Sequence, residues 1–305
     1  MGQLSRSRSA LARSLAALTD AANARERLVE RAGAWRVVVD DVFETESSLI
    51  AYARRGAHAE VLKIVKRPGD EWHSGDVLDE FGGRGVVRAL EHVGGAILME
   101  RLSPGHSLVE LTLSDRDAEA TGVIAGVIRE MTSEPSVVSS SNAHPTVEDW
   151  GKGFTRYTAT HDTKVSRDLV SEAQRVFEKL CRSQSNRRLL HGDLQHSNVL
   201  FDERRGWLAI DPKGVVGEIE YEVGAALRNP REAPFLFGTR NTLERRIRQY
   251  SSELDLDATR VLGWAFAQAV LSAIWVIEDG ATLDPAEPII ALAETIRRMR
   301  LSFSP

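Results

Sequence analysis

The stretch His191-Gly-Asp-Leu-Gln-His-Ser-Asn198 decides the fold, together with two short apolar runs that follow it and the aspartate that closes them, Asp211. The runs lie within Val199–Ile210 and flank Asp202-Glu-Arg-Arg-Gly206, a polar turn ending in glycine, so they read as a β-hairpin. Asn198 stands immediately before the first strand and Asp211 immediately after the second. In an antiparallel hairpin those two ends meet, about 5 Å apart. A hard amide oxygen and a carboxylate converging at one point suit Mg²⁺. Upstream, Asp193 completes with Asn198 the D-x-x-x-x-N spacing of kinase catalytic loops. There the aspartate accepts the proton of an attacking hydroxyl and the asparagine holds a metal. Singly, these residues read as a helix cap, a turn and a strand end. At these spacings together they point to phosphoryl transfer.

Working outward, Trp35–Asp40, Glu60–Lys66 and Ala96–Arg101 are short, β-branched and partly alternating, and read as strands. In Glu60–Lys66, Val61, Lys63 and Val65 share one face and Leu62 and Ile64 the other, which puts a lysine on an otherwise apolar face. With its stem fixed by strand packing, Lys63 is the candidate to neutralise nucleotide phosphates. Glu71 opens a predicted helix ending at Phe81, before Gly82-Gly-Arg-Gly85, and is placed to pair with Lys63. Glu44–Ser48 lies where a Gly-rich phosphate loop would stand but contains no glycine; Ser47 and Ser48 could offer hydroxyls and amides instead. Beyond Ser103-Pro104-Gly105 the apolar period turns helical, as in Val123, Ile124, Val127, Ile128 and Met131, or Leu169, Val170, Ala173, Val176, Phe177 and Leu180. The chain therefore divides into a small α+β domain over residues 1–102, which includes an N-terminal helix, and a mostly helical domain over 103–305 that carries the catalytic loop.

Composition narrows the function. With 305 residues, 42% hydrophobic and 27% charged, the chain can build sizeable cores. A net charge of −5 lacks the basic excess of a nucleic-acid binder. One cysteine excludes an intrachain disulfide and a cysteine zinc cage, and fits a reducing, cytoplasmic setting. The Arg- and Ser-rich start imitates a transit peptide, but Asp20, Glu26 and Glu30 make it a surface helix running to about Ala32. Arg6 stands where a myristoylation signal needs Ser or Thr. Val261–Ile277 carries no charge yet contains Gln268 and Ser272; it reads as a buried helix rather than a membrane span. Ser133–Ser141 reads as a surface loop. His191 and His196 could ligate metal in a phosphoesterase, although His191 fits better as a brace for its loop. A nucleotide-binding module without turnover is the remaining alternative.

His191–Leu200, Trp207–Gly217 (WLAIDPKGVVG) and Tyr221–Pro230 (YEVGAALRNP) resemble the aminoglycoside phosphotransferase superfamily, in particular its streptomycin 6-kinase/hydroxyurea phosphotransferase branch. The likeness covers roughly residues 35 to 280. It implies a bilobal protein-kinase-like α+β fold, with a small antiparallel-sheet N-lobe and a larger, mostly helical C-lobe. It also implies a kinase using ATP and Mg²⁺ on a small hydroxylated acceptor such as streptomycin, with another small metabolite as the alternative acceptor. Asp193 would be the base, Asn198 and Asp211 the metal ligands, Lys63 the phosphate binder and Glu71 its partner. The backbone around Glu100–Leu102 would bind the nucleotide base. Pro212-Lys213 replaces the Phe-Gly of protein kinases, a departure expected to touch no catalytic atom, and no activation segment follows Asp211. A cationic acceptor calls for carboxylates near Asp193; Glu218, Glu220 and Glu222, or Glu278-Asp279, would supply them, with Glu218 and Glu222 as the candidates.

Overall fold

The computed structural model describes residues 2–134, 144–234, 238–280 and 287–302, with side chains of the first helix from Thr19 onward. The serine-rich piece at 133–141 lies, from 135 on, outside the described residues.

The chain opens with helix α1 (Gly2–Trp35), then strands β1 (Val38–Glu44), β2 (Ser48–Arg55) and β3 (His58–Val65), helix α2 (Ser74–Phe81), and strands β4 (Ala89–Val93) and β5 (Ala96–Glu100). The five strands form one antiparallel sheet in the order β1-β2-β3-β5-β4. Arg36 takes a left-handed conformation (φ 56°) after α1, so the first strand starts at Val38 rather than Trp35. Strand β2 was absent from the sequence reading. Its residues, SLIAYARR, include two alanines and two arginines, a poor β composition; it is held by Leu49, Ala51 and Ala53, all buried on one face.

The two faces of this sheet have different fates. Leu62, Ile64 and Leu98 pack with Ala24 and Leu28 of α1 in one core. Ile97 and Met99 turn the other way, join Val77, Leu78 and Phe81 of α2, and merge with the core of the rest of the molecule. Lys63 lies on this second face, as strand alternation predicts.

The large lobe continues through β6 (Pro104–Ser107), α3 (Val109–Leu113), α4 (Asp117–Met131), α5 (Val147–Thr158), α6 (Arg167–Arg182) and β7 (Arg188–Leu190). A 3₁₀ turn at His196–Asn198 leads into the hairpin β8 (Val199–Asp202) and β9 (Gly206–Ala209), with Phe201 opposite Trp207. After β10 (Val215–Gly217) come α7 (Ile219–Leu227), α8 (Arg240–Leu254), α9 (Ala258–Glu278) and α10 (Pro288–Ser302). Helix α9 is long and apolar enough to cross a bilayer, yet 78% of its apolar window is buried inside the protein. It packs against α5, α6, α7, α8 and α10, which explains its charge-free run.

The hairpin also ties the lobes together. Ala209 exchanges backbone bonds with Gly85 and Val87, at 2.8 and 2.9 Å. Arg205, at its turn, pairs with Glu100 and donates to the carbonyls of Gly83 (2.6 Å) and Val86 (3.2 Å). Asp202 accepts from the Ser103 amide at 3.0 Å, so the crossing between lobes is anchored to the hairpin that joins Asn198 to Asp211.

Candidate active site

Asn198 and Asp211 do lie at the joined ends of the hairpin: the Ile210 amide donates to the Asn198 carbonyl at 2.9 Å. The Asn198 side-chain amide donates to the Asp193 carbonyl, also at 2.9 Å, which fixes the loop between them and leaves the side-chain oxygen available. Asp211 takes a left-handed backbone (φ 59°). Such a conformation is costly for a non-glycine residue and tends to persist where function needs it. Here it turns the carboxylate toward the small lobe, 2.8 Å from Lys63 Nζ.

Lys63 is 1% exposed and its ammonium also meets Glu71 Oε2 at 2.7 Å. Burial alone would push the lysine pKa down; the Asp211 and Glu71 carboxylates outweigh it and hold the pKa above its ordinary value. The sequence reading thus paired the right residues, although Glu71 sits in the turn before α2, three residues ahead of the helix. The β1–β2 turn folds over the pair. Ser47 Oγ lies 3.2 Å from Glu71 Oε1 and Ser48 Oγ 3.5 Å from Oε2, so both hydroxyls face the glutamate in this state.

His191 is a brace. Its Nε2–H donates to the Ile210 carbonyl at 2.8 Å, and its Nδ1 accepts from the Asp193 amide at 3.2 Å. Those bonds require one neutral tautomer, and burial favours it by pushing the ring pKa down. Both nitrogens are therefore committed, which removes the ligand role considered from sequence. His196 is buried beneath the loop, and burial followed by Arg246 pushes its pKa down to about 3. Gly192 needs its glycine twice over: φ is +82°, and a Cβ would sit 2.7 Å from the Trp150 ring.

The acceptor carboxylates expected from sequence are elsewhere engaged. Glu218 is 2% exposed; it pairs with Arg260 at 2.5 Å and accepts from the Trp264 indole at 2.5 Å. Glu222 is equally buried and accepts from the Gly192 amide at 3.0 Å, directly behind Asp193. Burial pushes its pKa up to about 7, against the lowering effect of the Gly192, His191 and Leu194 amides. Glu278 forms a two-bond pair with Arg156 at 2.7 and 2.8 Å. Glu218 and Glu222 share one reason: α7 is an interior helix, and an interior carboxylate finds a partner inside. Glu278, at the exposed end of α9, is instead taken by a surface pair with Arg156.

What stands around Asp193 is cationic. Lys213 Nζ lies 3.7 Å from Oδ2 and Arg228 Nη2 lies 3.8 Å from Oδ1. The expectation that Pro212-Lys213 touches no catalytic atom is therefore corrected: the segment folds back because the Lys213 and Gly214 amides both donate to the His191 carbonyl, at 2.9 and 3.1 Å. Arg228 was missed altogether. It is held by Gln268 Oε1 at 2.7 Å and forms the wall of a cavity of about 260 Å³, lined also by Leu227, Arg231, Ser272, Glu287 and Ile289. Residues 235–237 and 281–286 lie outside the described residues.

Residues 34–280 match the model of the aminoglycoside/hydroxyurea antibiotic resistance kinase family. The chain belongs to this family. Among its relatives is a streptomycin 3''-kinase of Klebsiella pneumoniae, 31% identical over 258 residues that cover 81% of this chain and 91% of that protein. A streptomycin 6-kinase of Streptomyces griseus is 29% identical, covering 83% and 82%. The fold matches an aminoglycoside phosphotransferase solved with ADP and hygromycin B, with a TM-score of 0.61 at 17% identity over 89% of this chain and 97% of that one. The protein is thus a small-molecule kinase of the bilobal, kinase-like fold, and the phosphoesterase and non-catalytic alternatives fall away.

Proposed function

We propose that this kinase transfers the γ-phosphoryl group of ATP to a hydroxyl of an aminoglycoside of the streptomycin type, in the cytoplasm, with no nucleic-acid or membrane partner. The observation that carries the reading is the convergence of Lys63, Glu71 and Asp211 within 2.8 Å contacts at the floor of the cleft, beside Asp193 and Asn198. In this reading residues 1–102 hold the nucleotide, with the Glu100–Leu102 backbone against the base and Ser47 and Ser48 over the phosphates. Residues 103–305 supply the catalytic loop and the acceptor cavity.

The donor set fits Mg²⁺. One carboxylate and one amide oxygen, with no cluster of three or more His, Cys, Asp or Glu among the described residues, suits an ion that takes few protein ligands and completes its shell with phosphates and water. Bound there by Asn198 and Asp211, it would neutralise phosphate oxygens. The remaining work belongs to the chain. Lys63 binds the phosphates and Glu71 keeps its ammonium in place when nucleotide competes for it. Asp193 accepts the acceptor hydroxyl's hydrogen bond and then its proton, which aligns the oxygen for in-line attack.

The names of the relatives support streptomycin. One observation favours a second reading, a neutral or anionic hydroxylated metabolite: Arg228 and Arg231 line the cavity, against the single carboxylate of Glu287 among its described lining. ADP release with Mg-ATP, measured with and without streptomycin and with Asp193→Ala as control, separates them. Streptomycin-dependent release lost in the variant supports the first reading. Release that streptomycin does not stimulate, but a panel of neutral or anionic polyols does, replaces it with the second.

A further inference from the structure

Among the described residues of the cleft, Lys213 is a cation to which the proposed phosphoryl transfer gives no task. Lys213 follows the metal-ligand candidate Asp211 by two positions, and its backbone is pinned to His191. Its ammonium stands 3.7 Å from the Asp193 carboxylate in the large lobe and 4.0 Å from Asp70 in the small lobe. Both distances are at the outer limit of an ion pair, in contrast to the 2.7 and 2.8 Å contacts that commit Lys63. The side chain is 28% exposed, so the charge is neither buried with a partner nor free in solvent. It spans the mouth of the cleft between the acceptor's base and the lobe that holds the nucleotide.

We propose that Lys213 is a catalytic residue whose ammonium binds the γ-phosphoryl group during its transfer. In that step the bond between the γ-phosphorus and the β–γ bridging oxygen breaks, and its electron pair leaves with ADP. The acceptor oxygen supplies the pair for the new O–P bond, and its proton passes to the Asp193 carboxylate. Charge on the three peripheral phosphoryl oxygens needs neutralising midway between donor and acceptor. Lys63 is committed on the nucleotide side by Glu71 and Asp211, and Arg228 is held on the acceptor side by Gln268. Lys213 is the cation between them, and its loose contacts let it exchange Asp70 and Asp193 for phosphoryl oxygens with little loss. Pro212 and Gly214 serve this placement. The Pro212 carbonyl accepts from Ser74 Oγ at 2.6 Å, and a Cβ on Gly214 would meet Val77 at 2.4 Å, so the segment is pressed against α2.

The inference rests on the kinase reading, and the test keeps the two apart. ATP turnover is measured on the full chain for wild type, Lys213→Ala and Lys213→Arg, with acceptor and with water alone. Mg-ATP affinity, the affinity for ADP with aluminium fluoride as a mimic of the transferring group, and thermal stability are measured alongside. Lys213→Ala should lose about 10²- to 10³-fold in kcat under both conditions, the range for removing one donor from a developing charge. Mg-ATP affinity should change less than about 3-fold, aluminium fluoride should no longer tighten ADP binding, and Lys213→Arg should recover part of the rate. A kcat within about 3-fold of wild type overturns the proposal. So does a loss of ATP affinity at unchanged kcat, which makes Lys213 a ground-state phosphate binder. Wild type silent with every acceptor and with water sinks the kinase reading itself, and the inference with it.

Discussion

The Asp193–Asp211 segment and the proposed acceptor cavity are joined through Arg228, a cavity wall 3.8 Å from Asp193, yet they are built by different means. The loop is local: Asp193, Asn198 and Asp211 are positioned by one hairpin and by the His191 bridges to Ile210 and to the Asp193 amide. The cavity is assembled from the end of α7, the C-terminal third of α9 and the start of α10, segments up to 65 positions apart (Leu227 to Leu292). Local geometry survives change in the rest of the chain, whereas a wall made of distant helices changes with each substitution in them. The comparison predicts that chemistry is fixed by the first region and acceptor choice by the second, and it can be broken at defined places.

The largest effect belongs to the loop. Asp193→Ala should lower kcat by about 10²- to 10⁴-fold, the usual range for removing a general base. Mg-ATP affinity should be retained, since Lys63, Glu71 and Asp211 do not depend on that side chain. Isothermal titration alongside turnover checks both halves. Near-wild-type turnover would remove Asp193 from the reaction and dissolve the distinction.

Glu218 tests whether the interior carboxylates have any acceptor role. Cutting it to alanine strands Arg260 and the buried Trp264 indole, a change of about 3 kcal/mol in unfolding free energy. Denaturant titration should show that loss while KM for the acceptor stays unchanged in the folded fraction. A raised acceptor KM with stability intact would return Glu218 to the cavity.

These cases also show what was legible in the sequence. The Asp193–Asn198 spacing and the hairpin ends could be read because strand pairing converts sequence distance directly into space. Lys63's face was legible because alternation assigns faces, and its pairing with Glu71 was found by taking Glu71 as the start of the next helix, although it lies in the turn before it. Glu218 and Glu222 were misplaced because acidity near a helix start looks the same whether the helix is interior or exposed; only tertiary packing decides. Arg228 had no local signal, since its meaning comes from Gln268, 40 positions away. Lys213 did have one: a cation two residues beyond a metal-ligand candidate cannot be far from the reacting atoms.

Glu222 supplies a smaller, pH-dependent effect. Its carboxyl rises from an ordinary 4.5 to about 7 in the folded protein, chiefly through burial. The folded state therefore binds the extra proton across that window. The associated stability is fully present below about 4.5 and is lost as pH rises through about 7. The melting temperature of wild type minus that of Glu222→Gln should fall over this range. A flat difference would mean that the Gly192 amide does not have a titrating carboxylate behind it.

The smallest effect concerns acceptor choice. Glu287 is the carboxylate among the described residues of the cavity wall, at the edge of α10. It is only partly buried, so its attraction for a cationic acceptor is screened to about the strength of a surface ion pair. Glu287→Gln should raise KM for streptomycin about 2- to 5-fold at unchanged kcat, the change that 0.5–1 kcal/mol of uniform binding produces. For a neutral or anionic acceptor the same substitution should leave KM unaltered or lower it, because Arg228 and Arg231 would then face less competition. Steady-state kinetics with both classes reads the sign. A change in kcat instead would mean that the cavity wall contributes to chemistry, and the separation between a local catalytic loop and a long-range acceptor wall would fail.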